Sequence, residues 1–436
     1  MRHTRAVAYD RAKRPATAPP DLQVEQRLEE IIKPATLAQV SYFWDLGLRE
    51  RTLTLPVMMA LVLSMIWRQI STVGELVRTV RTKSLLWVTP RRLTRQAVTQ
   101  RLDSLPADLF WRVLEHLLPE MRQRWAARQR PVPPEVAWAQ AHYGQVAICD
   151  GSTLDALVRR LGLLRDMTDH PLAGRMTALL DLSSRLPIRV WFEEDAQAHD
   201  LVFWPRVLDS LTAGALLIFD LGYTHFANFA DLTARHITFL TRAKKNLSFE
   251  VERVLHASAN VHDTLVWIGP ADQRQLVRLI EVLYRGLWYR YLTNELDPQR
   301  LPPDIAVALY RQRWRIEDAY AAVKRLLGLA YFWAASSNAI QLQLWATWIL
   351  YAVLVDLTDA VAEQLNQPFS VLSMEMVYRG LSHFTYVYAD GKATDVVAFL
   401  ADNANWLGVL KRKRKPKRPP PPEDAIDRFM KSLTCD

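Results

Sequence analysis

Tyr310, Arg313, Glu317 and Lys324 lie in the segment YRQRWRIEDAYAAVKRLLGL. On a helix turning about 100° per residue, all four fall within an arc of roughly 60°. Ile316, Tyr320, Val323 and Leu327 form an apolar stripe about 80° away, so the polar face borders the buried one. A carboxylate set between two cations and a phenol at the edge of a core is costly to desolvate unless it binds something. Arg313 and Lys324 suit phosphate oxygens, and Glu317 suits a divalent cation. Spacing alone also permits an ordinary amphipathic helix with charge pairs three and four residues apart.

Two further carboxylates bear on the choice. Asp150 closes the apolar run QVAICD and Asp220 closes ALLIFD. Both runs read as buried strands, and acidic groups at the carboxyl ends of strands in an open sheet sit where such sheets bind ligands. Three carboxylates with no His or Cys among them suit Mg2+ or Mn2+, which prefer oxygen. Two such ions about 4 Å apart clamp an in-line phosphoryl displacement. Asp181, between Leu180 and Leu182, is the alternative to Asp150, and Glu193, Glu194 and Asp195 read as a solvated strand end. The chain carries no H-E-x-x-H, G-x-S-x-G, P-loop or G-x-G-x-x-G pattern.

The elements that must position these groups follow from the pattern of the 436 residues. Residues 1–24 read as a disordered basic arm and 25–135 as a helical DNA-binding domain. Val77–Leu102 is a possible helix-turn-helix exposing Gln96, Thr99, Gln100 and Arg101. PVPPEV marks a boundary. Residues 140–360 alternate strands and helices and read as a mixed α/β sheet, with a β-rich insertion at 246–293. Residues 361–410 read as a helical C-terminal region and 411–436 as a basic Pro-rich tail, beginning KRKRKPKR. The apolar stretches near Leu55–Trp67 and Leu342–Val355 read as buried helices, with no membrane partner.

Composition points the same way. The net charge of +9 suggests a polyanionic partner, nucleic acid first. Two cysteines exclude a disulfide framework and a cysteine-rich zinc site and fit a reducing compartment.

With these residues in place, the chain resembles the bacterial insertion-sequence transposases that carry an Asp-Asp-Glu triad and a Tyr-x2-Arg-x3-Glu-x6-Lys signature. Tyr310, Arg313, Glu317 and Lys324 match that signature without a gap, Asp150 stands in a D-G-S context and Asp220 in D-x-G-Y. Thr293, Asn294 and Arg242 match positions often occupied in the family. The resemblance implies a ribonuclease H-like mixed sheet interrupted by a β-rich insertion and preceded by an all-helical N-terminal domain. It implies Asp150, Asp220 and Glu317 as catalytic ligands of two Mg2+ or Mn2+ ions, with Tyr310, Arg313, Lys324, Arg242, Thr293 and Asn294 at the DNA. It implies cut-and-paste chemistry through a hairpin, with Trp267 or Trp288 stacking on a flipped base. The partners would be transposon ends and target double-stranded DNA, bound by a homodimer in the prokaryotic cytoplasm, at the nucleoid. The competing expectation is a catalytically decayed or regulatory DNA-binding protein on the same fold.

Overall fold

The computed structural model describes residues 22–48, 51–154, 174–244, 246–284, 286–329, 332–334 and 336–412. Residues 1–21 of the expected arm and 413–436 of the expected tail lie outside the described residues.

The chain opens with helices α1 (Leu22–Leu37), α2 (Val40–Asp45), α3 (Leu55–Trp67), α4 (Val73–Thr82), α5 (Arg95–Ser104), α6 (Asp108–Ala127) and α7 (Pro134–His142). Thr72 and Thr94 cap α4 and α5, accepting from the Glu75 and Ala97 N–H groups. Helix α3 is apolar all round and correspondingly buried. The connector between α4 and α5 spans residues 83–94. A helix-turn-helix joins its helices by only about three or four residues. Gln96 and Gln100 are exposed, but Arg101 turns inward. It donates to the Leu53 carbonyl and lies over the Phe43 ring.

These helices surround a later one, α12 (Ser337–Gln364). By length and hydropathy α12 could cross a membrane, but 89% of its apolar window is buried inside the protein. Helices α13 (Met374–Ala389) and α14 (Val396–Asp402) pack on it as well, alongside α3, α5 and α6. Polar clamps fix the assembly. Asn338 at the start of α12 donates to the Leu102 and Leu105 carbonyls and accepts from the Ala107 N–H. Arg128 and Arg130, past the end of α6, pair with Asp356 and Asp359 near the other end of α12.

The sheet has nine described strands: β1 (Gln145–Thr153), β2 (Arg175–Asp181), β3 (Pro187–Glu193), β4 (Ala215–Phe219), β5 (Thr238–Arg242), β6 (Phe249–Ala257), β7 (Val261–Ile268), β8 (Gln275–Tyr284) and β9 (Leu287–Thr293). Their order is β3-β2-β1-β4-β5-β9-β8-β7-β6. Strands β1, β4 and β5 run parallel, and β2 and β3 flank them as an antiparallel hairpin. Helices α8 (Trp204–Asp209) and α9 (Phe226–Ala234) cover one face. Helices α7 and α10 (Pro303–Arg311) cover the other, and α11 (Arg315–Ala321) lies over β1 and β2. This is a mixed α/β sheet with helices on both faces, consistent with the ribonuclease H-like expectation.

The β-rich stretch forms an antiparallel meander whose last strand, β9, pairs with β5. It therefore continues the main sheet. A fully buried pair, Arg278 and Asp263, joins β8 to β7, and Arg278 also donates to the Leu301 carbonyl. The junction of β9 with β5 is pinned by Asn294. Its side chain accepts from the Phe239 N–H and donates to the Ile237 carbonyl and the Thr233 hydroxyl. Removing it strands backbone groups that no ladder serves. Asn294→Ala should lower unfolding free energy by about 1–3 kcal/mol in urea denaturation. An unchanged midpoint would show that the clamp contributes nothing.

Candidate active site

Register brings the two aspartates together. In the parallel pair of β1 and β4, Cys149 lies opposite Phe219, so Asp150 and Asp220 follow side by side. Alternation puts Val146, Ile148 and Asp150 on one face of β1, and Leu216, Ile218 and Asp220 on the same face of the β4 segment. The four apolar residues bury against Val307, Leu309 and Tyr310 of α10. The two carboxylates emerge where that packing ends.

The segment after α10 supplies what meets them. The sequence predicts one continuous helix here. The structure instead runs α10 into a single 3-10 turn at Gln312–Trp314, then α11, then a π-helical turn at Ala322–Leu326. Such turns re-aim side chains and recur at functional sites. The Tyr310 hydroxyl donates to Asp220 Oδ1 at 3.3 Å. Arg313 donates to Asp150 Oδ2 at 3.0 Å and to Glu317 Oε1 at 3.2 Å, linking those two carboxylates through one guanidinium. From the π turn, Lys324 donates to the Ser152 hydroxyl and the Thr153 carbonyl, just past Asp150 on β1. Three of the four signature residues thus meet a strand-end aspartate or the strand that carries one, and Glu317 joins them through Arg313.

Electrostatics match the geometry. Burial pushes the Asp150 carboxyl up to about 6, and Asp220 and Asp200 push the same way. Arg313 and the Gly151 N–H hold it down only in part. Burial also raises the Tyr310 phenol, reinforced by Asp220, so it remains a donor. Burial works against the Arg313 charge, but Tyr310, Asp220, Asp150 and Glu317 together hold its pKa above the usual guanidinium range. Glu317 is the open side of the site, its side chain 42% exposed.

The remaining expected residues separate into groups. Arg242 ends β5 and lies over the Tyr289 ring, close enough to Tyr310 to influence it. Thr293 is buried and accepts from the Glu295 N–H, and Asn294 spends its amide on the clamp described above. Trp267 donates to Glu252 with Arg274 against its ring, and Trp288 is 38% exposed and stacks on His262. Neither tryptophan is a core residue. Asp181 is occupied by the Ser184 N–H and hydroxyl in the turn after β2.

Three participants escaped the sequence reading. Tyr320, assigned to the apolar stripe, inserts its hydroxyl between paired residues of β1 and β2. It accepts from the Ala178 N–H and donates to the Asp150 carbonyl. Asp200 lies between Gly151 and Gly222, paired with Arg175 through Nε at 2.9 Å. A side chain at Gly151 would overlap the Asp200 carboxylate, and one at Gly222 would crowd it at 3.1 Å. The D-G and D-x-G motifs thus leave room for a third aspartate, a signal readable only once both glycines face the same carboxylate.

Among the described residues, no three acidic, His or Cys side chains converge closely enough to hold a metal as they stand. The donor set of Asp150, Asp220 and Glu317 is nevertheless all oxygen. A carboxyl raised to about 6 beside a second carboxylate is one that gains from a further cation. The residues therefore fit Mg2+ or Mn2+.

Residues 172–353 match the family described as the transposase DDE domain, a segment that includes Asp220 and all four signature residues and begins after Asp150. A protein of Sinorhizobium fredii (strain NBRC 101917 / NGR234) named as a transposase, y4zB, is 31% identical over 205 residues, 44% of this chain and 54% of its own. A protein of Geobacillus stearothermophilus named as a transposase for insertion sequence element IS5377 is 26% identical over 169 residues, 37% of this chain and 44% of its own. The chain spans about half the length of these relatives.

The Asp150 carboxyl carries a pH signature. Its folded pKa lies above the usual value of about 3.9. Folding therefore favours the protonated form, and the stability this contributes is lost as pH rises through about 6. Asp150→Asn, neutral throughout, should melt above wild type at about pH 8, the advantage vanishing near pH 4. A gap in melting temperature that is the same at every pH would contradict this.

Proposed function

We propose that this chain is a DDE transposase of an insertion sequence, an enzyme that binds transposon ends and cuts and joins DNA strands by metal-dependent phosphoryl transfer. The observation that carries the reading is that Asp150 and Asp220 lie side by side at the strand ends, with Glu317 bridged to Asp150 by Arg313 and Tyr310 bonded to Asp220. Asp150, Asp220 and Glu317 would hold two Mg2+ or Mn2+ ions, whose chemistry is to activate a water or 3′-hydroxyl and stabilise the leaving oxygen.

The chain's own groups have separable tasks. Arg313 neutralises Asp150 and Glu317 while no cation does. Once released, its fork suits two phosphate oxygens. Tyr310 fixes the orientation of Asp220, and Tyr320 fixes the backbone beneath Asp150. Lys324 and Arg242 add positive charge on either side, favouring the bound polyanion. Asp200, paired with Arg175, fills the space left by Gly151 at the end of β1 and by Gly222 in the turn after β4. For a hairpin intermediate, Trp288, exposed and already stacked on one side, is better placed to receive a flipped base than Trp267, tied by Glu252 and Arg274. The helices of residues 22–142 are the candidate for recognising transposon ends, two copies of the chain pairing the two ends.

The test is a cleavage assay with Mg2+ or Mn2+ on DNA carrying the element's own ends. Wild type should give nicked and hairpin products. Asp150→Ala, Asp220→Ala and Glu317→Ala should each lose at least about a thousandfold in rate with end binding retained. Near-normal cleavage by any one would remove that residue from the ligand set. Binding without cleavage by wild type would favour the regulatory alternative.

A further inference from the structure

A second concentration of charge lies on the far side of α11, built from three separate elements. Arg315 starts α11 two residues after Arg313, roughly 200° around the helix. Its Nη1 donates to the Leu182 carbonyl at 2.8 Å. Arg185 occupies the same β2–β3 turn as Leu182, held at a positive φ of 63°. Its guanidinium lies 4.1 Å from the centre of the Phe369 ring. Lys411 is exposed and donates to the carbonyl of Ser370, the neighbour of Phe369, at 3.0 Å. The turns at Leu182–Arg185 and Phe369–Ser370 therefore gather three cations.

Anions do not balance them. Asp318, on α11, favours the charge of all three, but it is exposed and forms no ion pair with any of them among the described residues. Asp181 is taken by Ser184, Asp359 by Arg128 and Arg130, and Glu135 by Gln312. Arg185 makes no side-chain hydrogen bond among the described residues, and its Nε is buried without a partner. Buried donors of that kind are rare in folded proteins and mark a missing acceptor. Burial, and then Arg185, lower the pKa of Arg315 to about 9 against Glu135, Asp318 and Asp181, and partial burial with Arg185 and Arg315 lowers that of Lys411 against Asp318. Lys411 also begins the run KRKRKPKR, seven of whose eight residues are basic.

We propose that Arg185, Arg315 and Lys411 form a phosphate-binding site, separate from the carboxylate site, that takes a free phosphate or a phosphate of the DNA backbone. The two guanidinium groups offer directional donors and Lys411 a mobile charge, the combination that recognises phosphate oxygens. The DNA source rests on the transposase reading, whereas the phosphate chemistry stands without it.

Two measurements on the full chain test this. The first is thermal unfolding in inorganic phosphate against chloride at matched ionic strength. Wild type should gain about 2 °C or more in phosphate. Lys411→Gln and Arg185→Gln should lose at least half of that gain, and Glu317→Ala should keep it. The second is binding of duplex DNA across a salt series, where Lys411→Gln should lower the slope of log affinity against log salt by about 1. An undiminished phosphate shift in Lys411→Gln, whose exposed side chain leaves folding unaffected, would overturn the site even if Arg185→Gln did not fold. A diminished shift with an unchanged salt slope would overturn the DNA source and leave free phosphate. A chain that fails to cleave but shows the phosphate effect would separate failure of the transposase reading from failure of this one.

Discussion

Two carboxylates held next to each other on parallel strands set the terms for everything around them. The register of β1 against β4 fixes Asp150 beside Asp220, and the alternation of each strand turns both toward the same helical layer. Bare, the Asp150 carboxylate is unstable there, because burial and the charge of Asp220 both disfavour its charged form. The chain answers with a phenol for one and a guanidinium for the other, both from the helical run that begins with α10. A run that must cover apolar strand residues and then turn polar groups into a corner does not remain a uniform α-helix. The 3-10 turn at Gln312–Trp314 and the π turn at Ala322–Leu326 are where its pitch adjusts.

Arg313 gives the site two roles for one side chain. Its contacts with Asp150 and Glu317 stabilise the protein when those carboxylates have no other cation. The same contacts oppose any cation seeking those oxygens. Breaking one side of a buried pair is costly, so exchange requires that the guanidinium find a new anion as it leaves. An anion arriving together with a cation would meet that need, so that the two would be coupled through a single residue.

Much of this was legible in the residues. The apolar runs ending in Asp150 and Asp220, the helical spacing of Tyr310 to Lys324 and the burial of the helix at Leu342–Val355 all follow from short-range patterning. What was hidden depends on distant contacts. Nothing local distinguishes Tyr320 from its apolar neighbours, since its hydroxyl finds its partners 170 and 142 residues away. Asp200 matters because Gly151 and Gly222 converge on it. Asn294, expected at the DNA, has a structural task that its sequence position does not announce: it closes a backbone gap between strands. The long connector between α4 and α5 is likewise held by a distant contact, the Trp87 indole donating to the Pro56 carbonyl.

The helix α12 carries a consequence for how the molecule can be divided. Its apolar surface is shared by helices from both ends of the chain, and the same continuous core takes in Met176 and Ala178 of β2 and Tyr320 beside the site. A cut between α7 and β1 would not release a freestanding sheet. It would leave α12 wet along the length that α3, α5 and α6 now cover, a surface that invites aggregation. By the same continuity, a displacement of the early helices is not absorbed at a linker. It arrives at Tyr320, one hydroxyl away from the backbone of Asp150.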